Sequence, residues 1–444
     1  MKSRVLMAFG IFLVGMIIPA QSTQAATPEI ISSLINQDQY VAGIEGSQIR
    51  FSVALSGRDP TSAASTNLVI TSYRPVHTRQ EVRDASSGKL PSTVDTVIVD
   101  VSNLRDAATG RVDVAIPIEI GVRTKDALQM SATGLYPISI GLREDKSVTS
   151  QIVTFVERLP QDVTSPLPSE NFQIALIGTL DAPVSLQPDA TTQISQTTRS
   201  AITEVVSTLE ANPNTPISLA IRPELIDALG NSTDEDTSLL TRLQNAASLQ
   251  LLPTTYVDVQ PDELLAQRSS DVFTTQLRLG EDVLAAGLPT MSVNRDAWLQ
   301  TSTLLTGGAL LLRNLGLRTA VLLSNSQKTT ANGISVFADS TRLVELKLSS
   351  SDRMTAALAD TGLSAALTRG SDEPTGGPYL VAQQILAELK VLRSEIIKRD
   401  ETMSGRGVIL STESGALPST ALVNALIDSV AGQPDMRFVS LADL

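Results

Sequence analysis

The hydrophobic rhythm of this chain changes near residue 160, and the two rhythms demand two different kinds of domain. Between residues 40 and 157, short alternating segments recur between turn residues: "SQIRFSVAL", "TNLVITSYR", "DTVIVDVSNL", "RVDVAIPIEI", "GLYPISIGLRE" and "TSQIVTFVERL". Period-two alternation at that spacing predicts antiparallel strands with one buried face, and six or seven of them make a sandwich of immunoglobulin-like type. Within it, "RQEVRDASSGKLPST" (79–93) reads as a loop. The stretch "RLPQDVTSPLPSEN" (158–171) offers almost nothing apolar to bury and reads as a linker.

From Phe172 to the end, apolar strand runs alternate with helix-period segments. "FQIALIGTLD", "ISLAIRP", "LQLLPTTYVD", "TMSVN", "RTAVLLS", "GVILST" and "MRFVSL" are the strands, and "TQISQTTRSAITEVVSTLEAN" and "YLVAQQILAELKVLRSEIIKRD" are the clearest helices. Strands apolar on both faces require a mostly parallel sheet covered by helices. The fold class expected is therefore multidomain: an N-terminal all-β immunoglobulin-like sandwich (40–157) followed by an α/β domain (172–444). That second domain is expected to be a distorted (β/α) barrel, with a doubly wound open sheet as the alternative.

The first residues are set apart from both domains. Lys2 and Arg4 precede the apolar run "VLMAFGIFLVGMIIPA", and "STQAA" supplies small residues, so residues 1–26 read as a signal peptide cut after Ala25 or Ala26. A retained anchor is the alternative, and 27–39 is an N-terminal segment. The protein is accordingly expected to be exported, extracytoplasmic or associated with the cell envelope. No later stretch is long and apolar enough to span a bilayer. There is no cysteine, so an exported fold here relies on packing without disulfides. The formal net charge is −13, and it becomes two units more negative once Lys2 and Arg4 leave. Such a surface repels phosphate backbones, so nucleic acid is excluded as a partner.

In either α/β architecture, ligands sit beyond the C-terminal ends of the strands. The residues expected there are Asp181, Arg222 and Asp258, then Asn294, Arg295, Asp296 and Trp298 after "TMSVN", Asn325, and Glu413 after "GVILST". Asp181, Asp258 and Glu413 are the catalytic candidates, because two carboxylates on different strand ends can act as an acid and base pair. Arg222, Arg295, Asp296 and Trp298 are the ligand-binding candidates: guanidinium and carboxylate groups hydrogen-bond hydroxyls, and an indole stacks on a sugar ring. The bland reading of each is structural, as a cap or an ion pair, with Pro223 and Pro261 opening helices. His77 is the sole histidine and lies in the β domain, so no histidine-rich metal site and no Ser/His/Asp triad can be built in the barrel. No phosphate-cradling glycine motif is present. No metal and no cofactor are expected. "TRGSDEPTGGP" (368–378) reads as a flexible connection, or as a cover for the barrel mouth.

"GLYPISIGL", "LAIRPELIDAL", "LLPTTYVDVQPDELL" and "RTAVLLS", in that order, give the chain a resemblance to a family of exported, uncharacterised actinobacterial envelope proteins. The resemblance implies a degenerate barrel of the polysaccharide-deacetylase and glycosidase type. Active deacetylases carry an Asp pair after the first strand and a later histidine motif; here "GTLDA" leaves Asp181 without an adjacent carboxylate. The resemblance also implies that relatives are often longer, so the chain reads as a short version or a truncated one. Two functions follow as expectations. One is a non-catalytic envelope module that binds a cell-wall glycan or an envelope protein. The alternative is a glycosidase-like hydrolase using paired carboxylates.

Overall fold

The computed structural model describes residues 30–57, 66–101, 103–106, 108–121, 124–144, 147–166, 171–329, 339–372, 376–399 and 402–444. The expected signal peptide lies outside them. The first domain contains β1 (Ile30–Gln37), β2 (Tyr40–Val41), β3 (Gln48–Ser56), β4 (Thr66–Tyr73), helix α1 (Arg79–Ser86), β5 (Thr93–Asp100), β6 (Arg111–Glu119), β7 (Leu128–Gln129), β8 (Gly134–Glu144) and β9 (Ser147–Arg158). One sheet runs β1-β3-β6-β7 and the other β2-β9-β8-β4-β5. Alternation places Val112, Val114, Ile116 and Ile118 of β6 in one core with Leu68 and Ile70 of β4 and Ile138 and Ile140 of β8. Tyr136 is buried in that core, and its hydroxyl donates to Ala132 O at 2.7 Å, closing the corner that leads into β8.

Two expectations are corrected in this domain. The sandwich begins at Ile30, because β1 pairs antiparallel with β3 and buries Ile31 and Leu34, so the 27–39 segment contributes a full strand. The supposed loop at 79–93 opens with α1. Thr78 and Glu81 form a reciprocal capping box, and Val82 and Ala85, three residues apart, are buried together. Exposed His77 sits just ahead of this helix and donates its backbone N–H to Glu81 at 2.6 Å.

The second domain contains, in order, β10 (Phe172–Leu180), α2 (Gln196–Ala211), β11 (Ile217–Ile221), α3 (Pro223–Gly230), α4 (Asp234–Gln244), β12 (Leu249–Leu251), α5 (Pro261–Ala266), α6 (Ser270–Gly287) and β13 (Ala297–Gln300). It continues with α7 (Thr306–Asn314), β14 (Thr319–Leu322), α8 (Ser324–Thr329), β15 (Val344–Lys347), β16 (Arg353–Leu358), α9 (Thr361–Asp372), α10 (Pro378–Lys398), β17 (Gly407–Leu410), α11 (Thr420–Ala431) and β18 (Met436–Phe438). Parallel pairing links β12-β11-β10-β17 and, separately, β13-β14-β16. Single parallel bridges, Leu251 with Val293 just ahead of β13 and Ala359 with Ile409, join the two sheets at both seams. The parallel strands thus follow one another around a ring in chain order. β15 is antiparallel to β16, while β18 pairs with the start of β10.

Strand period decides what faces the ring's interior. Ala175 and Ile177 share an inner core with Leu252, Ala297, Leu299, Val321, Leu323, Ala357, Ala359 and Ile409. Ile174 and Leu176, one residue out of phase, pack outward against Ile202 and Val206 of α2 and Ile385 and Leu389 of α10. Small alanines recur inside because a narrow ring leaves little room there.

The two domains are joined by a polar and apolar seam centred on α10. Arg79 of α1 donates to both oxygens of Asp360, which follows β16, and also to Glu388 of α10, which takes Arg83 as well. Lys390 pairs with Glu157 at 2.8 Å. The "TGGP" segment docks here: Leu34 N–H donates to Gly376 O at 2.8 Å, and a Cβ on Gly377 would stand 2.8 Å from that of Ser33. Gly376 and Gly377 therefore lie against β1 rather than over the ring mouth; residues 373–375 are outside the described set.

Candidate functional site

The C-terminal ends of β10, β11, β12, β13 and β17 converge on a cavity of about 340 Å³. Asp181, Arg222 and Asp258 meet in it. Arg222 is placed by two local constraints: its N–H donates to Leu180 O, extending the β10 and β11 ladder by one rung, and Pro223 then opens α3. The guanidinium is the buried partner. Its side chain is 10% exposed, against 49% for Asp181 and 62% for Asp258. Nε donates to Asp181 Oδ1 at 2.9 Å, Nη1 to Thr255 O at 3.3 Å, and Nη2 lies 3.3 Å from Asp258 Oδ1. One cation therefore holds two strand-end carboxylates.

The Asp258 loop is held from below. Tyr256 N–H donates to Gln276 O on α6, and Glu224 N–H donates to Tyr256 O. The Tyr256 hydroxyl donates to Asp227 Oδ2 at 3.1 Å. Burial, and then that carboxylate, push the phenol up to about 12, so it remains a donor at physiological pH. Thr179, Thr208, Thr254, Thr255, Gln260, Thr301 and Ser414 also line the cavity; Thr208 and Thr255 are buried, and the Thr208 hydroxyl is taken by Glu204 O and Thr420 Oγ1. Glu204 of α2 lines the cavity as well and accepts from Thr420 N–H at 3.1 Å.

The other expected residues divide by register. Strand β13 is Ala297–Gln300 rather than "TMSVN", so Asn294, Arg295 and Asp296 precede the strand and lie at the end of the ring opposite the mouth. Arg295 pairs with Glu281 at 2.7 Å, and Asp296 O accepts from Thr319 N–H. Trp298 does line the cavity, but it is 4% exposed. Ala297 and Leu299 take the inner positions, which turns the indole toward the helices, where it meets Phe273 edge-on at 5.7 Å; Nε1–H donates to Gln300 Oε1 at 2.8 Å. It is not a free stacking platform. Glu413 stands outside the cavity lining and donates its N–H to Thr368 Oγ1. Asn325 lies exposed on α8.

A second hollow, of about 400 Å³, shares Asp181, Arg222 and Asp258 with the first and adds Ala182, Pro183, Val184, Val257 and Glu224. Sequence reading missed Glu224 and Glu204. A first-turn acidic residue such as Glu224 is ordinary at a helix start, and only tertiary burial singles it out.

A paired-carboxylate glycosidase needs two carboxyl groups facing each other across the sugar, with room for the scissile bond between them. Here both Asp181 and Asp258 are ion-paired to the Arg222 guanidinium. Among the described residues, no group of three or more His, Cys, Asp or Glu is arranged to hold a metal ion, and no helix is long and apolar enough to cross a membrane.

No protein-family model matches the chain, and no curated protein matches it. Among solved structures it is similar to a 4-alpha-glucanotransferase from Thermococcus litoralis, at 12% identity and a TM-score of 0.44, over 62% of this chain and 40% of that one. It is also similar to a putative beta-galactosidase from Bacteroides fragilis, at 10% identity and a TM-score of 0.21, over 88% of this chain and 59% of that one. A glycosyl hydrolase family 2 member from Bacteroides cellulosilyticus matches at 9% identity and a TM-score of 0.21, over 86% and 45%. The chain spans less than two thirds of the length of each.

Proposed function

We propose that this protein is an exported cell-envelope module whose ring mouth binds a cell-wall glycan without hydrolysing it. The observation that carries this reading is the Asp181–Arg222–Asp258 cluster in a cavity lined largely by threonine, glutamine and serine residues with three carboxylates. Sugar hydroxyls both donate and accept. A surface offering carboxylate acceptors, guanidinium donors and threonine hydroxyls in one concavity matches that chemistry. The same cluster argues against turnover, because Asp181 and Asp258 are both ion-paired to Arg222 rather than set apart as an acid and a nucleophile. A kinship with deacetylase and glycosidase barrels is part of the proposal, supported by the chain-order parallel ring and by a cavity at the strand C-termini. The histidine-rich metal set of the deacetylases is not available to it.

Trp298, the only tryptophan, is buried in the cavity wall, so occupancy is read by calorimetry rather than by its fluorescence. Titration with soluble peptidoglycan and arabinogalactan-type fragments is expected to give a saturable change. Asp258→Asn is expected to weaken the binding roughly 10-fold, as loss of a charge-assisted hydrogen bond does. No reducing ends should be released. Reducing ends that appear with the native protein and vanish in Asp258→Asn would replace this reading with a hydrolase.

A further inference from the structure

The second hollow carries more charge than its hydrogen bonds account for. Glu224 lines it and is 3% exposed. Its Oε1 accepts two backbone N–H groups, from Ser185 at 2.8 Å and Leu186 at 3.0 Å. Its Oε2 is buried without any hydrogen-bond partner. A buried carboxylate oxygen in that state is unfavourable unless a donor completes it. Asp181 and Asp258 stand on the same lining, where both are ion-paired to Arg222 and Glu224 is not. The remaining wall is apolar: Ala182, Pro183, Val184 and Val257.

We propose that this hollow is a subsite for a primary ammonium group on a short carbon stem, with Glu224 as its principal acceptor. An ammonium brings three donors and no acceptor, and so it suits the unpartnered Glu224 Oε2 beside two further carboxylates. The stem would lie along Pro183, Val184 and Val257. The strongly acidic surface favours the approach of such a cation. Two sources share this chemistry, a free amino sugar and a diamino-acid side chain. The proposal rests on the ring mouth being the ligand-binding face, and it names the group selected there.

The test is direct calorimetric titration with pairs of probes that differ only in the amine: glucosamine against N-acetylglucosamine, and Nα-acetyl-lysine amide against its Nε-acetylated form. The expected result is that one amine is preferred over its acetylated partner roughly 10- to 100-fold, the pair showing it identifying the source. Glu224→Gln keeps an oxygen for the two backbone N–H groups and places a neutral amide at Oε2. It is expected to abolish the preference while neutral glycan binding in the main cavity persists. If Glu224→Gln does not fold, exposed Asp181→Asn serves instead and should reduce the preference. Equal binding of amine and acetylated probes by the native protein overturns the proposal, as does a preference that survives Glu224→Gln. Failure of neutral glycans to bind, with the amine preference intact, defeats the glycan reading alone.

Discussion

Trp298 shows how the two-residue period of a strand limits what an aromatic side chain can do. Its indole faces the helix layer, and its polar edge is already used by Gln300, which is 1% exposed. Trp298→Phe keeps the contact with Phe273 but leaves Gln300 Oε1 without that donor. We expect a loss of about 1–3 kcal/mol, read as a lower urea midpoint at unchanged slope. A midpoint equal to that of the native protein would show that the indole hydrogen bond is replaced without loss. At this scale the sequence is legible where local chemistry fixes position. Asp181, Arg222 and Asp258 each follow an apolar run that ends at the ring mouth, and two of the three adjoin a proline-led helix start. Arg295 and Asp296 are misread because "TMSVN" alternates like a strand while "AWLQ", only four residues long and buried throughout, carries no period. Glu224 and Glu204 acquire their roles only from partners far along the chain.

Helix α7 shows the same division among elements. Its sequence, with two glycines near the start, reads as a weakened helix, since each glycine is unfavourable in a helix interior by roughly 1 kcal/mol relative to alanine. The reason for one of them is tertiary. Asp262 at the start of α5 caps α7 from outside, its Oδ2 accepting from Leu305 N–H and its Oδ1 from Gly308 N–H, both at 2.8 Å. A Cβ on Gly308 would stand 2.5 Å from Asp262 Oδ2, whereas one on Gly307 would meet Leu265 at an ordinary 3.4 Å. Adjacent substitutions are therefore expected to act with opposite sign. Gly307→Ala should stabilise by roughly 0.5–1 kcal/mol, and Gly308→Ala should destabilise by about 1–3 kcal/mol by overpacking the cap. Thermal midpoints moving in the same direction for both would contradict this account. The α1 helix, by contrast, is legible in hindsight from "TRQE" alone, because a capping box is a local signature. The surrounding polar residues hide the one short apolar face formed by Val82 and Ala85.

For the whole molecule, the decisive contact is one that no local pattern announces. Arg79 and Asp360 are 281 residues apart, and their side chains are 17% and 5% exposed. Burial alone would raise the Asp360 carboxyl; the Arg79 hydrogen bonds and charge, with the Leu363 amide and the Ser340 hydroxyl, hold it at about 2 instead of 3.8. The same burial opposes the charge on Arg79, yet Asp360 and Glu388 raise its pKa above the normal range. Removing the cation alone leaves buried anions behind. Arg79→Met is thus expected to destabilise by about 3–5 kcal/mol, far more than a surface ion pair would account for. The acid dependence has a definite sign. A carboxyl whose folded pKa lies below its unfolded value contributes its stabilisation fully above about pH 4, and that contribution is lost as pH falls toward 2. The shift corresponds to about 2 kcal/mol. Urea unfolding of the native protein and of Asp360→Asn between pH 5 and pH 2 should show a gap that narrows by that amount as the pH falls. A gap constant across the window would mean that the Asp360 carboxylate is not what fastens the β domain to the rim of the ring.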